Sequence, residues 1–401
     1  MSRDGYTGFS RGEARTRTAT SLNFETMGPL RRLAKLPWGF ILLIIAMALT
    51  GVAMLYSSAY TNPNEHNLWY LQLTRFGISF VMMLVLAMLP LSWWRTLALP
   101  AYAFTVLLLV LVLVMGFSGG GAQRWLQIGP IGVQPSEFAK LATTMALAWY
   151  YDRVITPTSG RVLIHLGALA IMIIPAALIF KQPDFGTTLA LIASAGVIIF
   201  LAGLSMRVIL VGILAGIASV PGIYFVLADY QRERVDTFLA QLSGHATNAL
   251  GESYQIEQGL IAIGGGGVNG KGFLQGIQSQ QDYVPEQHTD FILTVIGEEF
   301  GFIGTTALLL GFAVILGWAF YSASQSQSWF GRLASAGAAA TVAFYIVFNV
   351  GMVIGLLPVV GMPLPLISYG GTAMLTTMAC FGLILSAHMH RDEKLSSTGI
   401  I

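Results

Sequence analysis

The chain has 401 residues and few titratable side chains, so those that fall beside or inside apolar stretches stand out. The run Tyr283-Val284-Pro285-Glu286-Gln287-His288-Thr289-Asp290-Phe291 leads directly into an apolar segment. Its spacing predicts Thr289 as a helix N-cap and Asp290 in the first turn, where a carboxylate complements the helix dipole by a few tenths of a kcal/mol. The same placement suits a general base: a carboxylate at the edge of a membrane, beside a polar loop, can take a proton from a hydroxyl. Spacing alone does not choose between the two roles.

Glu298 and Glu299 follow eight and nine residues later in the same apolar segment. Adjacent carboxylates inside a span are costly and are usually functional or paired. Proton relay, helix glue, substrate contact and pairing with Arg75 are all open for them. Glu137 and Lys140, three apart in Gln134-Pro135-Ser136-Glu137-Phe138-Ala139-Lys140, share one helical face and can form an ion pair. They either make a structural bridge or line a polar cavity and orient another group. Asp184, in Gln182-Pro183-Asp184-Phe185-Gly186-Thr187, is either a turn and N-cap residue or a second acid facing that cavity. Arg124 offers a guanidinium beside Trp125, which itself suits an interfacial anchor. The tract Gly265-Gly266-Gly267-Val268-Asn269-Gly270-Lys271-Gly272 nearly matches a P-loop, but Gly272 replaces the Ser/Thr that would hold Mg²⁺. It reads as a flexible hinge, or as a backbone cradle that, with Lys271, holds a lipid-linked pyrophosphate. Pro363 to Gly371, including Ser368, predicts broken backbone buried in protein or lining a cavity. The histidines are scattered, and neither a metal site nor a Ser/His/Asp arrangement is legible.

These groups must be positioned by membrane helices. Only 10% of the residues are charged and 55% are hydrophobic, against about 25% charged in ordinary soluble domains. That balance excludes a soluble enzyme, a disordered chain and a nucleic-acid binder. Residues 1–37, 228–290 and 388–401 hold 25 of the 40 charges, which leaves long uncharged stretches. About ten apolar spans follow, near 38–57, 71–90, 94–116, 135–151, 162–180, 187–204, 208–228, 289–319, 333–355 and 368–388. Most reach the roughly 20 residues that cross a hydrocarbon core. No repeated period-two pattern supports a membrane β-barrel. The fold class is therefore an all-α polytopic membrane protein with a large extracytoplasmic loop, about 229–288, between helices 7 and 8. Short amphipathic or re-entrant helices are expected on that loop.

Arg95, Arg153, Arg161, Arg207 and Arg332 share a side with the basic tail 1–37, and Arg124 and Lys181 lie opposite, so both tails are expected in the cytoplasm. Span 38–57 reads as a signal anchor, tail 1–37 as disordered, and 391–401 as a second cytoplasmic tail. The single cysteine, Cys380, excludes an internal disulfide.

Four motifs resemble one family. Residues 134–142 (QPSEFAKLA), 182–187 (QPDFGT), 285–299 (PEQHTDFILTVIGEE) and 355–371 (GLLPVVGMPLPLISYGG) resemble, in order and spacing, the SEDS proteins of shape, elongation, division and sporulation. Gly266–Gly272, Gln278–Gln280, Asn349–Met352 and Leu357–Gly361 resemble the elongation branch more than the division branch. The resemblance implies a bacterial inner-membrane glycosyltransferase that polymerises lipid II into peptidoglycan strands, with a class B penicillin-binding protein as transpeptidase partner. It places the essential aspartate on Asp290 and the family's Glu and Lys of the fourth span on Glu137 and Lys140.

The resulting expectation is inverting transfer. Asp290 takes the proton of an acceptor 4-hydroxyl, and Glu137, Lys140, Asp184 and Glu298 orient the cavity. Arg124, Lys271, Arg232, Arg234, Glu286, His288 and Ser368 bind substrate, and a divalent cation, Mg²⁺ or Mn²⁺, could share the charge. Membrane lipid surrounds the helices. The alternatives are a lipid II flippase, with Glu298, Glu299 and Arg75 as its polar pathway, and a non-catalytic scaffold for a penicillin-binding protein.

Overall fold

The computed structural model describes residues 33–62, 65–119, 122–128, 131–154, 162–225 and 252–393, with isolated positions 232, 236, 240 and 395. Most of tail 1–37, Arg234, residues 241–251, residue 394 and residues 396–401 lie outside the described residues.

A helix occupies each of the ten expected positions: α1 Trp38–Ser58, α2 Leu68–Ala87, α3 Leu91–Met115, α4 Pro135–Val154, α5 Val162–Lys181, α6 Phe185–Leu201 and α7 Met206–Tyr224. Two short loop helices follow, α8 Glu252–Gly266 and α9 Ile277–Gln280, and then α10 Ile292–Gln325, α11 Trp329–Val353 and α12 Gly371–Met389. Seven of the ten are long and apolar enough to cross a membrane on their own. Among the rest, α6 has only 17 residues, and α4 is too rich in Ser, Thr, Glu and Lys.

The composition of α4 follows from its place. Almost every residue from Pro135 to Ala148 is buried, against α3, α5, α6 and α11. A helix surrounded by protein needs small side chains that permit close approach, and tolerates polar ones that find partners across the interface. The same holds for α11 and α12, whose most apolar windows are 67% and 78% buried, against 22% for α3. Leu- and Val-rich α2, α3 and α5 surround this small-residue centre.

Two sets of contacts define the ends of the bundle. At the tail end, Arg95 pairs with Asp152 at 2.8 Å, Asp152 accepts from the Phe330 N–H at 3.3 Å, and Gln327 N–H donates to the Arg391 carbonyl at 2.8 Å. The start of α3, the end of α4, the start of α11 and the chain's C-terminal region therefore share one end. The opposite end carries the connections α1–α2, α3–α4, α5–α6, α7–α10 and α11–α12.

Two features differ from the sequence reading. A three-stranded antiparallel sheet fills the α3–α4 connection: β1 Phe117–Gly119, β2 Ala122–Ile128 and β3 Ile131–Val133, with Phe117 opposite Trp125 and Leu126 opposite Val133. Strands of three to seven residues are too short to produce a periodic signal. In addition, α10 is 34 residues long and is broken at Gly301, where φ is 62° and ψ −157°. A straight helix of that length would span about 51 Å, well over the roughly 30 Å of hydrocarbon. The break separates a short segment at the loop end, containing Glu298 and Glu299, from the span that follows.

Candidate functional site

The glycine tract packs into this break. Lys271 and Gly272 N–H groups donate to the carbonyls of Glu298 and Glu299 at 3.0 and 2.9 Å, and Phe302 and Ile303 N–H groups donate to Gly267 and Val268 at 2.9 and 3.1 Å. The chain at 267–272 therefore replaces the helical partners that α10 loses around Gly301. Only glycine permits this approach: a Cβ on Gly266 would collide with the Gly297 carbonyl, and one on Gly270 with that of Glu299. Gly267, Gly270, Gly272 and Gly301 all have positive φ, which glycine adopts without strain. Its N–H groups at 267, 270, 271 and 272 point to protein carbonyls, which speaks against a hinge or an open cradle.

Glu298, fully buried, fixes the rest of this loop. Its Oε1 accepts from Lys271 Nζ at 2.7 Å and Gln278 N–H at 2.9 Å, and its Oε2 from Ser279 N–H at 3.0 Å. The two backbone donors belong to the first turn of α9, whose exposed N–H groups attract a carboxylate. Glu299 accepts from Ser57 Oγ at the end of α1. Neither acid meets Arg75, whose guanidinium lies over the Tyr369 ring, 4.3 Å from its centre.

Asp290 lies just outside α10. The helix starts at Ile292, and residues 285–291 form turns in which Thr289 and Phe291 N–H groups donate to the Glu286 carbonyl at 3.1 and 3.2 Å. Thr289 therefore does not cap the helix. Its hydroxyl donates to the exposed Glu286 carboxylate at 2.8 Å, and Glu286 has a φ of 55°. Asp290 is half-buried. Asn349 Nδ2, from α11, donates both to the Asp290 carbonyl at 2.8 Å and to the Met362 carbonyl at 2.7 Å. The Asp290 carboxylate lies beside Gly361, where an added Cβ would stand 3.3 Å from Oδ2. Gly361 has a φ of 70°, so this turn too requires glycine. The Tyr369 N–H, donating to the His288 carbonyl at 2.9 Å, ties the segment after Pro363 to the same loop.

Behind this lies a buried cluster. Lys140 Nζ is 2.7 Å from Glu137 Oε1, and Tyr345 OH donates to the same carboxylate at 2.6 and 2.5 Å. Lys140 also meets the Tyr345 hydroxyl and lies over its ring at 4.1 Å. All three are less than 5% exposed. Tyr345 forms one wall of a narrow crevice with Pro363, Pro365, Ser368, Gly370 and Thr377. The Ser368 hydroxyl, which lines this crevice, accepts from the Leu364 N–H at 2.8 Å and closes the Pro363–Leu366 turn.

The other candidate residues are engaged by the fold. Asp184 is 3% exposed and caps α6: Oδ1 accepts from Thr187 N–H at 3.2 Å, and Oδ2 accepts from Gln134 at 2.9 Å and Ser136 at 3.3 Å. It joins the starts of α4 and α6. Arg124, on β2, donates to the Pro183 carbonyl and so fastens the sheet to the α5–α6 turn. Arg232 donates to the carbonyls of Tyr224 and Phe225 at 3.0 and 2.7 Å, at the end of α7. His288 is 8% exposed, between Ser58 Oγ, 2.8 Å from Nδ1, and the Glu65 carboxylate. The structure thus gathers Asp290, His288 and Glu286 on one loop, with Glu137 and Lys140 beneath the neighbouring crevice, and sets Arg124, Lys271 and Arg232 against protein acceptors. Asn349, Tyr345 and Glu65 complete the arrangement without having been singled out from the sequence as functional. A polar residue inside an apolar span was the available signal for Asn349 and Tyr345.

Comparison with known proteins gives the family and the fold. The family model for FtsW/RodA/SpoVE, described as cell cycle protein, matches residues 36–393. The peptidoglycan glycosyltransferase MrdB of Escherichia coli strain K12 is 37% identical over 353 residues, which cover 88% of this chain and 93% of that protein. A chain from a solved peptidoglycan synthase complex, described as coordinating polymerization and crosslinking, superposes with a TM-score of 0.76 at 32% identity, covering 89% of this chain and 98% of that one. The crystal structure of the rod shape determining protein RodA of Thermus thermophilus superposes with a TM-score of 0.66 at 30% identity, with the same coverage.

Proposed function

The chain belongs to the FtsW/RodA/SpoVE family, the SEDS family that its motifs resemble, and is a peptidoglycan glycosyltransferase of cell elongation; we propose that it polymerises lipid II with Asp290 as general base. The observation that carries the proposal is a contrast in burial. Glu137, Asp184 and Glu298 are buried, whereas Asp290 is half-buried in a turn at the loop end, with its carboxylate at Gly361.

In the proposed step, the 4-hydroxyl oxygen of the acceptor sugar attacks C1 of the donor. The new C1–O bond forms as the bond from C1 to the pyrophosphate oxygen breaks, and the hydroxyl proton passes to Asp290. Undecaprenyl pyrophosphate leaves with the electron pair, and an α-linked donor gives a β-linkage. Positioned proton transfer of this kind is typically worth about 10²–10⁴-fold. Charge growing on the leaving group requires a cation. Because Lys271, Arg124 and Arg232 already serve protein acceptors, Arg75, which lies over a ring and pairs with no carboxylate among the described residues, is the better placed candidate. Glu137 and Lys140 act indirectly, by fixing Tyr345 as the wall of the crevice.

The protein is a multi-pass membrane protein. We place it in the bacterial inner membrane with both tails cytoplasmic and the loop end outside, as 38–390 flanked by tails 1–37 and 391–401. We further propose a class B penicillin-binding protein as its crosslinking partner, with membrane lipid around α2, α3 and α5. The contacts of Glu298 with the loop, Glu299 with Ser57 and Arg75 with Tyr369 speak against these residues as a transport pathway.

Purified protein given lipid II in detergent, where no leaflet exists to cross, tests this reading. Glycan polymer formed by the protein alone supports it. Absence of polymer with or without added divalent cation and partner would leave transport or scaffolding.

A further inference from the structure

We propose that Glu65, Asp282 and His288 together hold one divalent transition-metal ion, Zn²⁺ or Mn²⁺, at the loop end of the bundle. Each offers one ligand atom, and the three atoms lie within 4.8 Å of one another. Ligands about 2.0–2.2 Å from a shared ion stand up to about 4.4 Å apart, so rotations of the partly exposed Glu65 and exposed Asp282 side chains, which open the His288–Glu65 contact, admit the ion.

The surroundings orient these atoms as ligands. Ser58 Oγ lies 2.8 Å from His288 Nδ1 and directs its own proton to the Leu55 carbonyl at 3.2 Å. Ser58 Oγ can therefore accept from an Nδ1–H, the arrangement that turns Nε2 to a metal; here Nε2 meets the Glu65 carboxylate directly. A ring nitrogen fixed by a partner on its other side is the usual arrangement of a metal-bound histidine. Asp282 is held in the same way: Oδ1 accepts from Gln287 at 2.6 Å and Oδ2 from Asn62 at 3.2 Å, with a backbone φ of 53°. Among the described residues, no lysine or arginine forms an ion pair with any of the three; the only such contact is His288 with Glu65. Two carboxylates thus converge on one imidazole nitrogen, and a cation bound there would replace the proton that His288 and Glu65 share.

The ligand set selects the ion. Imidazole suits zinc and its neighbours, whereas Mg²⁺ favours an all-oxygen octahedron with several waters. The three residues come from the α1–α2 connection and from two points of the loop before α10, so the ion clips these segments together two residues before Asp290. The site stands whatever residue takes the proton in the transfer reaction.

Metal-stripped full-length protein in detergent is titrated with Zn²⁺ and with Mn²⁺, reading bound ion by competition with a chelator and by Mn²⁺ electron paramagnetic resonance, with thermal unfolding in parallel. The expected result is one site, a rise in Tm on loading, and an affinity reduced about 10-fold or more in Asp282→Asn and His288→Ala. Mg²⁺ at the same concentration does not raise Tm. Asp282→Asn keeps the side-chain shape at an exposed position and so remains informative if His288→Ala fails to fold. Absence of stoichiometric ion, or an affinity unchanged in Asp282→Asn, would overturn the proposal and leave an imidazole–carboxylate pair only.

Discussion

Asn349, near the end of α11, uses one amide to hold the carbonyl of Asp290 at 2.8 Å and the carbonyl of Met362 at 2.7 Å. One buried side chain thereby joins the loop that carries the proposed base to the Gly361 turn against which its carboxylate lies. Asn349→Leu is expected to strand two carbonyls, each worth about 1 kcal/mol net as a hydrogen bond, and to lower kcat more than it raises KM. Steady-state polymerisation kinetics with a thermal unfolding control check this; a rise in KM alone would point to a binding role.

Gly361→Ala is expected to lower polymerisation for a different reason. The new methyl group would stand 3.3 Å from Asp290 Oδ2, at a φ of 70° that strains alanine. Gly196→Ala, whose Cβ meets nothing within 4 Å, is the control and should retain activity.

The buried Glu137–Lys140–Tyr345 cluster predicts a non-additive mutant cycle. Lys140→Met leaves a buried carboxylate without its cation, a change that costs about 3–5 kcal/mol. The Glu137→Gln/Lys140→Met double variant is expected to recover much of that loss, because no charge remains. Thermal unfolding of the single and double variants in detergent measures the coupling; additive losses would mean that the pair does not act as a unit.

The glycine seam makes a positional prediction. Gly270→Ala should prevent folding or abolish activity, since its methyl group would enter the Glu299 carbonyl. Gly264→Ala, in α8 with open space around it, should be neutral or stabilising by up to about 1 kcal/mol. Expression level and Tm of the two variants decide, and equal tolerance of both would restore the flexible-hinge reading.

What could be read along the chain was whatever depends on near neighbours. The ten helices were legible because a membrane span needs only length and apolarity. The Glu137–Lys140 pair was legible because three residues make one helical face, and Asp184 as a cap because its donor is three residues ahead. Tyr345 was not, since it reaches Glu137 from 208 residues away. The packing of the glycine tract is hidden for the same reason: what demands glycine there is the backbone of 297–301, which no local pattern reveals. Thr289 and Asp290 fell outside α10 because Glu286, at positive φ, closes turns that delay the helix to Ile292. The set of Glu65, Asp282 and His288 needed the fold to bring residue 65 beside residue 288.

The most direct test of the account is the rate of glycan strand formation from lipid II by purified Asp290→Asn protein, measured beside the unaltered protein at matched Tm. The account predicts a loss of at least about 10²-fold, because the amide cannot accept the hydroxyl proton. Strand synthesis near the unaltered rate would contradict it.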